Sequence, residues 1–302
     1  MTSGKKFQAK LLLIVTSWSL PLFLASALAS ATSSDSLEAV LEDESLPGVV
    51  WATFDAGTAQ SGGKGYADLS DGRAMTAATK VQVGSVTKVL VALGVLRLVA
   101  AEQLDLDSDV EQLLPELPWD NTWRATTPIT VQHLLEHTAG LDNIRMWQFL
   151  NTQVTADTPL TEAFPESHNG LLQIRTRPGT QYSYSNMGYA ILGLVIERVS
   201  ADRYESYLAR EILDPLGMHD SSFHFITQVQ DSRLAMGYLD ASTPQRSVPM
   251  FLRPAGQFTT TATDVQQLLR FLLGNGEVDG RELIAPEYLD SLGTPSTTDA
   301  HQ

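Results

Sequence analysis

The chain of 302 residues contains no cysteine. That absence excludes disulfides, thiolate nucleophiles and cysteine-ligated metals. It also excludes a lipidated cysteine behind an N-terminal leader. Positive charge is scarce: 20 Lys and Arg stand against 35 Asp and Glu, a formal charge of −15 at pH 7. Such a surface repels phosphate backbones and anionic headgroups, so nucleic acid is not an expected partner. The acid is spread along the chain, as on a solvated surface, rather than gathered into an interaction tail. Repeats and low-complexity tracts are missing too.

What is present begins with residues 1–29. Lys5, Lys6 and Lys10 form a basic start, and Leu11 to Leu24 is an apolar run broken only by Thr16, Ser17, Ser19 and Pro21. Ala27-Leu28-Ala29 has the small-x-small form of a cleavage site. The pattern predicts a secretory signal peptide. An uncleaved anchor would need roughly 17–25 apolar residues, more than this run offers. The expectation is export to the periplasm or the extracellular space of a bacterium, with no membrane attachment after cleavage. Removing three lysines and no acid moves the charge from −15 to −18. Residues 30–302 are then expected to form one domain with a sizeable core, since 43% of the chain is hydrophobic and 18% charged.

Gly84-Ser85-Val86-Thr87-Lys88 places a hydroxyl and an amine three residues apart where an apolar run begins. Val86, Val89, Leu90, Leu93, Leu96, Leu98 and Val99 recur at helical spacing and continue almost all round, which predicts a buried helix with Ser85 in its first turn. Residues i and i+3 share a face, with Cβ atoms roughly 5–6 Å apart. Lys88 can then accept the Ser85 proton if burial lowers its pKa. Free N–H groups at the helix start suit a developing oxyanion.

Elsewhere the pattern predicts a hairpin from Gly48 to Ala67, a short helix over 36–44, and a strand over 233–239. Ser108 to Glu111 has the capping-box form, and Thr130 caps a helix to His137. Further helices are expected over 186–199, from the 202–205 cap to Leu213, over 262–273 and over 286–292. In Pro178-Gly179-Thr180-Gln181-Tyr182-Ser183-Tyr184-Ser185-Asn186, a turn leads into the third long helix. Tyr184 and Asn186 lie two apart in extended chain, so both can face one way. A tyrosine beside an ammonium can have its phenol pKa lowered from about 10 and act as a base. Asn186 suits two roles: orienting a substrate while holding the lysine, and capping the helix.

Together these stretches resemble the serine β-lactamase and penicillin-binding-protein superfamily, in its class C-like branch of hydrolases, D-amino-acid peptidases and esterases. His133 to Leu141, Asp214-Pro215-Leu216-Gly217-Met218, and Ala255-Gly256 before a Thr cluster match the same branch, in order, across 48–275. The resemblance implies an α/β (α+β) fold, with an antiparallel sheet flanked by helices, a helical subdomain, and a site between them. It implies an exported serine hydrolase cleaving an amide or ester, the substrate being a β-lactam, a D-peptide or an ester. Ser85 would be the nucleophile, Lys88 would take or relay its proton, and Tyr184 would be the general base. Asn186 and Gly256 would bind substrate, and the Ser85 N–H would supply half of the oxyanion hole. No cofactor is implied, and the partner is a small-molecule or peptide substrate.

Two alternatives stand beside that reading. The superfamily's third motif, a Lys/His-Thr/Ser-Gly strand, has no match after Gly256. The expectation is a C-terminally incomplete fold without its closing strands, and with it the alternative of a catalytically silent binding or regulatory protein. His133-Leu134-Leu135-Glu136-His137 also fits a zinc-peptidase pattern, the least favoured of the three because the helix is only about two turns long. His133 or His137 is expected instead to hydrogen-bond loops near the site. Asp105, Asp107 and Asp109 read as turn and cap residues rather than a calcium loop. His219 and His224 are expected in solvent, and Trp119, Trp123 and Trp147 in the core or a cleft wall.

Overall fold

A computed structural model describes residues 13–15, 41–55, 57–240, 242–278 and 280–292. The expected leader lies outside these except for residues 13–15. Of the short helix expected over 36–44, residues 41–43 are helical and 36–40 lie outside the description. In chain order, the strands are β1 (Leu13–Val15), β2 (Gly48–Asp55), β3 (Thr58–Asp68) and β4 (Arg73–Ala74). The main helices are α1 (Thr87–Ala100), α2 (Val131–Leu135), α3 (Asn186–Ser200), α4 (Tyr204–Leu208), α5 (Arg253–Gly256) and α6 (Ala262–Leu273). The chain divides into two compact units.

The first unit takes residues 1–81, 226–247 and 260–274. Its sheet runs β1-β2-β3-β4, every pair antiparallel. In β2, Val49, Val50 and Ala52 are buried. Trp51 stands opposite Gly62, where a Cβ would come within 2.6 Å of the indole, so only glycine lets the ring lie on the strand. Helix α6 packs on β2 and β3. Val265, Leu268 and Leu269 form its buried stripe, and Asp264 is buried beside them. Thr261 caps it by accepting the Asp264 N–H. The strand expected over 233–239 shortens to Gly237–Tyr238. Asp231 causes this: its carboxylate accepts the Arg233 N–H and its carbonyl the Leu234 N–H, closing a turn where the strand would start.

The second unit takes residues 82–225, 248–259 and 275–302. Helices α1 and α3 pack together at its centre. Leu90, Leu93 and Leu96 of α1 and Ile191, Leu192 and Ile196 of α3 are buried, each worth about 1.5–3 kcal/mol. Close approach is built in at two glycines. Leu208 of α4 occupies the place a Cβ would take at Gly94, and a Cβ at Gly193 would stand 2.5 Å from Pro254 of α5. A buried ion pair, Arg253 Nε to Glu205 Oε1 at 3.1 Å, ties α5 to α4. Arg253 also donates to the Thr158 carbonyl.

Two caps differ from expectation. The helix Val110–Leu113 is capped by Asp109, which accepts the Glu111 and Gln112 N–H groups, while the Ser108 hydroxyl accepts the Asp105 N–H instead. Helix α3 is capped by Ser185, not Asn186: the Ser185 hydroxyl accepts the Gly188 N–H. The expected helix to Leu213 divides into α4 and a wider π turn, Ala209–Leu213. Among the described residues, no helix is long and apolar enough to cross a membrane.

Candidate active site

The site is built wholly within the second unit. Its nucleophile candidate sits in a 3-10 turn, Gly84–Val86, that runs directly into α1. Gly84 has φ +52°, a left-handed conformation that glycine adopts without penalty. The Thr87 hydroxyl donates to the Gly84 carbonyl at 2.6 Å and accepts the Phe258 N–H at 3.2 Å. These bonds pin the turn to the chain that follows α5. Ser85 is left exposed, whereas Lys88, one turn along, is only 6% exposed.

Lys88 Nζ lies 3.3 Å from Ser85 Oγ. It also donates to Asn186 Oδ1 at 2.8 Å and to the Ala255 carbonyl at 2.6 Å. All three contacts are neutral, and Tyr184 and Tyr189 present ring faces 5.0 and 5.5 Å from the amine. Burial without a counter-charge pushes the Lys88 amine down to about 7. Near neutral pH much of it is the free base. Two N–H bonds then point at Asn186 and Ala255, and the lone pair is left for Ser85.

Tyr184 completes the convergence from a distant loop, its hydroxyl donating to Ser85 Oγ at 2.8 Å. Its phenol moves opposite to the sequence expectation. Burial raises the pKa, against the lowering effect of the Ser85 hydrogen bond. The expectation assumed a charged lysine alongside, but the burial that neutralises Lys88 removes that charge. Tyr184 is therefore a neutral donor in the resting site.

One segment, 137–143, holds the Tyr184 loop. The His137 carbonyl accepts the Ser183 N–H at 2.8 Å, and its Nδ1 accepts the Ser185 N–H at 3.1 Å. The imidazole stacks on Tyr184 at 4.5 Å and on Tyr189 at 5.1 Å between centroids. Burial, and then the Lys88 charge, push its pKa down to about 4, so it stays neutral at neutral pH. The Asp142 carbonyl accepts the Ser185 hydroxyl, and the Asn143 carbonyl accepts the Asn186 and Met187 N–H groups. His137 itself has φ +59°. At Gly140, φ +79°, the Thr176 carbonyl occupies the place of a Cβ.

The comparison with known families gives a consistent answer. The Beta-lactamase family model matches residues 34–300. The chain belongs to the Beta-lactamase family. Protein flp of Staphylococcus aureus (strain N315) is 29% identical over 216 residues, covering 70% of this chain and 42% of that protein. Protein Rv1367c of Mycobacterium tuberculosis (strain H37Rv) is 26% identical over 266 residues, covering 78% of this chain and 64% of its own. The chain thus spans less than two thirds of these curated relatives. Among solved structures, the octameric penicillin-binding protein homologue from Pyrococcus abyssi superposes with a TM-score of 0.70 at 25% identity, over 86% of this chain and 59% of that one. EstCE1, a hydrolase with promiscuous acyltransferase activity, shares the fold, with a TM-score of 0.68 at 22% identity over 84% and 74% of the two chains. The family assignment supports serine hydrolase chemistry in general terms.

Against that family background, the structure brings Ser85, Lys88, Tyr184 and Asn186 into one cluster. Gly256 stands beside the nucleophile turn: a Cβ there would meet Met250 at 3.5 Å and the Gly84 carbonyl carbon at 3.8 Å. The zinc alternative finds no supporting geometry. His133 Nδ1 accepts the Thr130 N–H within the α2 capping box, and His137 Nδ1 is engaged by Ser185. Among the described residues, no group of three or more His, Asp or Glu is placed to hold a metal. His219 and His224 are exposed. Trp119 and Trp123 are half-buried, and Trp147 lies tilted against His168 and meets Phe251 edge to face. The sequence marks Ala255 only within the matched Ala255-Gly256 pair, with no role of its own, and does not mark Asn143. The first acts through its main chain, which no side-chain pattern reveals. The second follows the matched His133–Leu141 stretch by two residues and carries no signal of its own.

Proposed function

We propose that this protein is an exported serine hydrolase that cleaves an amide or ester through an acyl-enzyme on Ser85. The observation that carries it is the convergence on Ser85 Oγ of a buried amine at 3.3 Å and a phenol at 2.8 Å. An exposed serine otherwise has no reason to sit between two such groups.

In the proposed reaction, neutral Lys88 takes the Ser85 proton as Oγ bonds to the substrate carbonyl carbon. The carbonyl π electrons move onto oxygen, and the Ser85 N–H at the helix start donates to that oxyanion. When the C–N or C–O bond breaks, the leaving group takes its proton from Tyr184. Lys88 reprotonates Tyr184, which restores both groups. Water then repeats the sequence on the acyl-enzyme, with Lys88 again the base. Asn186 keeps one amide hydrogen for a substrate carbonyl. The hydrolase EstCE1 and the penicillin-binding protein homologue, both similar in fold, agree with an acyl-transfer reading.

The test is labelling with a fluorophosphonate or a fluorescent penicillin, alongside turnover of nitrocefin and p-nitrophenyl esters. Labelling of the parent and none of Ser85→Ala is expected. Labelling that persists in Ser85→Ala overturns the reading, and turnover by the parent excludes a silent protein.

A further inference from the structure

The orientation of the Asn186 amide decides whether Lys88 can serve Ser85, and the hydrogen bonds around it agree on one orientation. A backbone N–H is only a donor. The Asn186 N–H is shared between the Asn143 carbonyl at 3.1 Å and the Asn143 side chain at 3.2 Å, where Oδ1 is the atom that can accept it. That same oxygen lies 2.6 Å from the Asn186 side chain, so the Asn186 atom there is the nitrogen, Nδ2. The remaining Asn186 atom, facing Lys88 at 2.8 Å, is therefore Oδ1. A reversed amide would aim an N–H at the Lys88 amine and occupy the lone pair that Ser85 needs.

We infer that Asn143 is a positioning residue for the Ser85 reaction, holding Asn186 so that the Lys88 lone pair faces Ser85. The inference rests on the Ser85 acyl-enzyme reading. The Asn143 main chain holds α3 separately, through its carbonyl and the Asn186 and Met187 N–H groups. The side chain is exposed, so replacing it leaves the fold intact. Besides Asn186 and the Ala255 carbonyl, the groups around Lys88 are Tyr184, Tyr189 and His137.

The experiment is the single-turnover rate of fluorophosphonate labelling against pH, for the parent, Ser85→Ala, Asn143→Ala and Asn143→Asp. Asn143→Ala is expected to lower the plateau rate at high pH about tenfold, since one directed hydrogen bond is lost. Asn143→Asp keeps an acceptor for Nδ2 and is expected to recover the plateau. Its added negative charge is expected to move the acid limb to higher pH. An unchanged plateau in Asn143→Ala, with labelling still dependent on Ser85, overturns the inference and leaves the acyl-enzyme reading standing. So does a rise in KM alone with a p-nitrophenyl ester, which would make Asn143 a substrate contact. Labelling that survives Ser85→Ala overturns both.

Discussion

Replacing Lys88 by methionine should raise stability at pH 6 and lower it at pH 9. The amine moves from 10.5 in the unfolded chain to about 7 in the fold, because burial disfavours its charged form. A shift of about 3.5 units corresponds to about 5 kcal/mol at 1.36 kcal/mol per unit. The sign follows from proton counts. Between pH 7 and 10.5 the unfolded chain holds a proton that the folded chain does not, so stability rises with pH across that window. Below pH 7 both states are protonated and the fold carries the whole penalty. Methionine fills the same volume without charge, but strands the Ala255 carbonyl and Asn186 Oδ1, at a cost of about 3 kcal/mol together. The net is about 2 kcal/mol in favour of Lys88→Met at pH 6. From pH 7 the parent recovers about 1.4 kcal/mol per unit, so the order reverses near about pH 8.5. Urea denaturation of both proteins at pH 6, 7, 8 and 9 measures it. A difference that stays constant across those pH values would show that Lys88 keeps an ordinary pKa, and would remove it as the base.

Tyr184→Phe keeps the His137 stacking but loses the donor to Ser85, so kcat on a p-nitrophenyl ester is expected to fall about 10²–10⁴-fold, with stability nearly unchanged by urea denaturation. His137→Asn tolerates φ +59° and offers an amide oxygen to the Ser185 N–H, but it cannot titrate. The His137 pKa of about 4 lies below its unfolded value of 6.5, so the parent loses about 3 kcal/mol as pH falls from 6.5 to 4, and denaturation in that window should show the slope flattened in the variant. Glu205→Ala leaves the Arg253 guanidinium buried without its partner and is expected to cost about 3–5 kcal/mol by urea denaturation, where a loss below about 1 kcal/mol would mean that the pair does not hold α5.

The long helices and the two chemical pairs were legible because local spacing decides them. Ser85 and Lys88 share a face by helical geometry alone, and the span 262–273 is set by Thr261 and an apolar stripe. Competition between partners was not legible. Asn186 is as good a cap as Ser185 in isolation. In the fold its amide is claimed by Lys88 and Asn143, and the neighbouring hydroxyl takes the helix end. Ser108 and Asp109 divide their work in the same way, the serine being drawn off by Asp105. The Tyr184 pKa failed for a related reason. A sequence shows which charged residue type lies beside the phenol, but its charge state depends on burial by chain 98 or more residues away in sequence.

In the proposed acyl-enzyme reaction, proton accounting leaves one order of events. Tyr184 starts neutral and donates to Ser85 Oγ, so it has no vacancy for the serine proton. Lys88 has that vacancy whenever it is uncharged, and its two N–H bonds are already committed to Asn186 and Ala255. The first proton therefore moves to Lys88. Once Lys88 is a cation, the phenolate that forms when Tyr184 protonates a leaving group lies beside a positive charge, the condition the resting site lacked. The lysine thus lowers the tyrosine's pKa only after the nucleophile has attacked, when the leaving group needs a proton. A base whose charge was present from the start would ionise Tyr184 too early and leave nothing to protonate the departing amine or alcohol. Burial of Lys88 separates those two moments, and the stability lost at pH 6 is its thermodynamic signature.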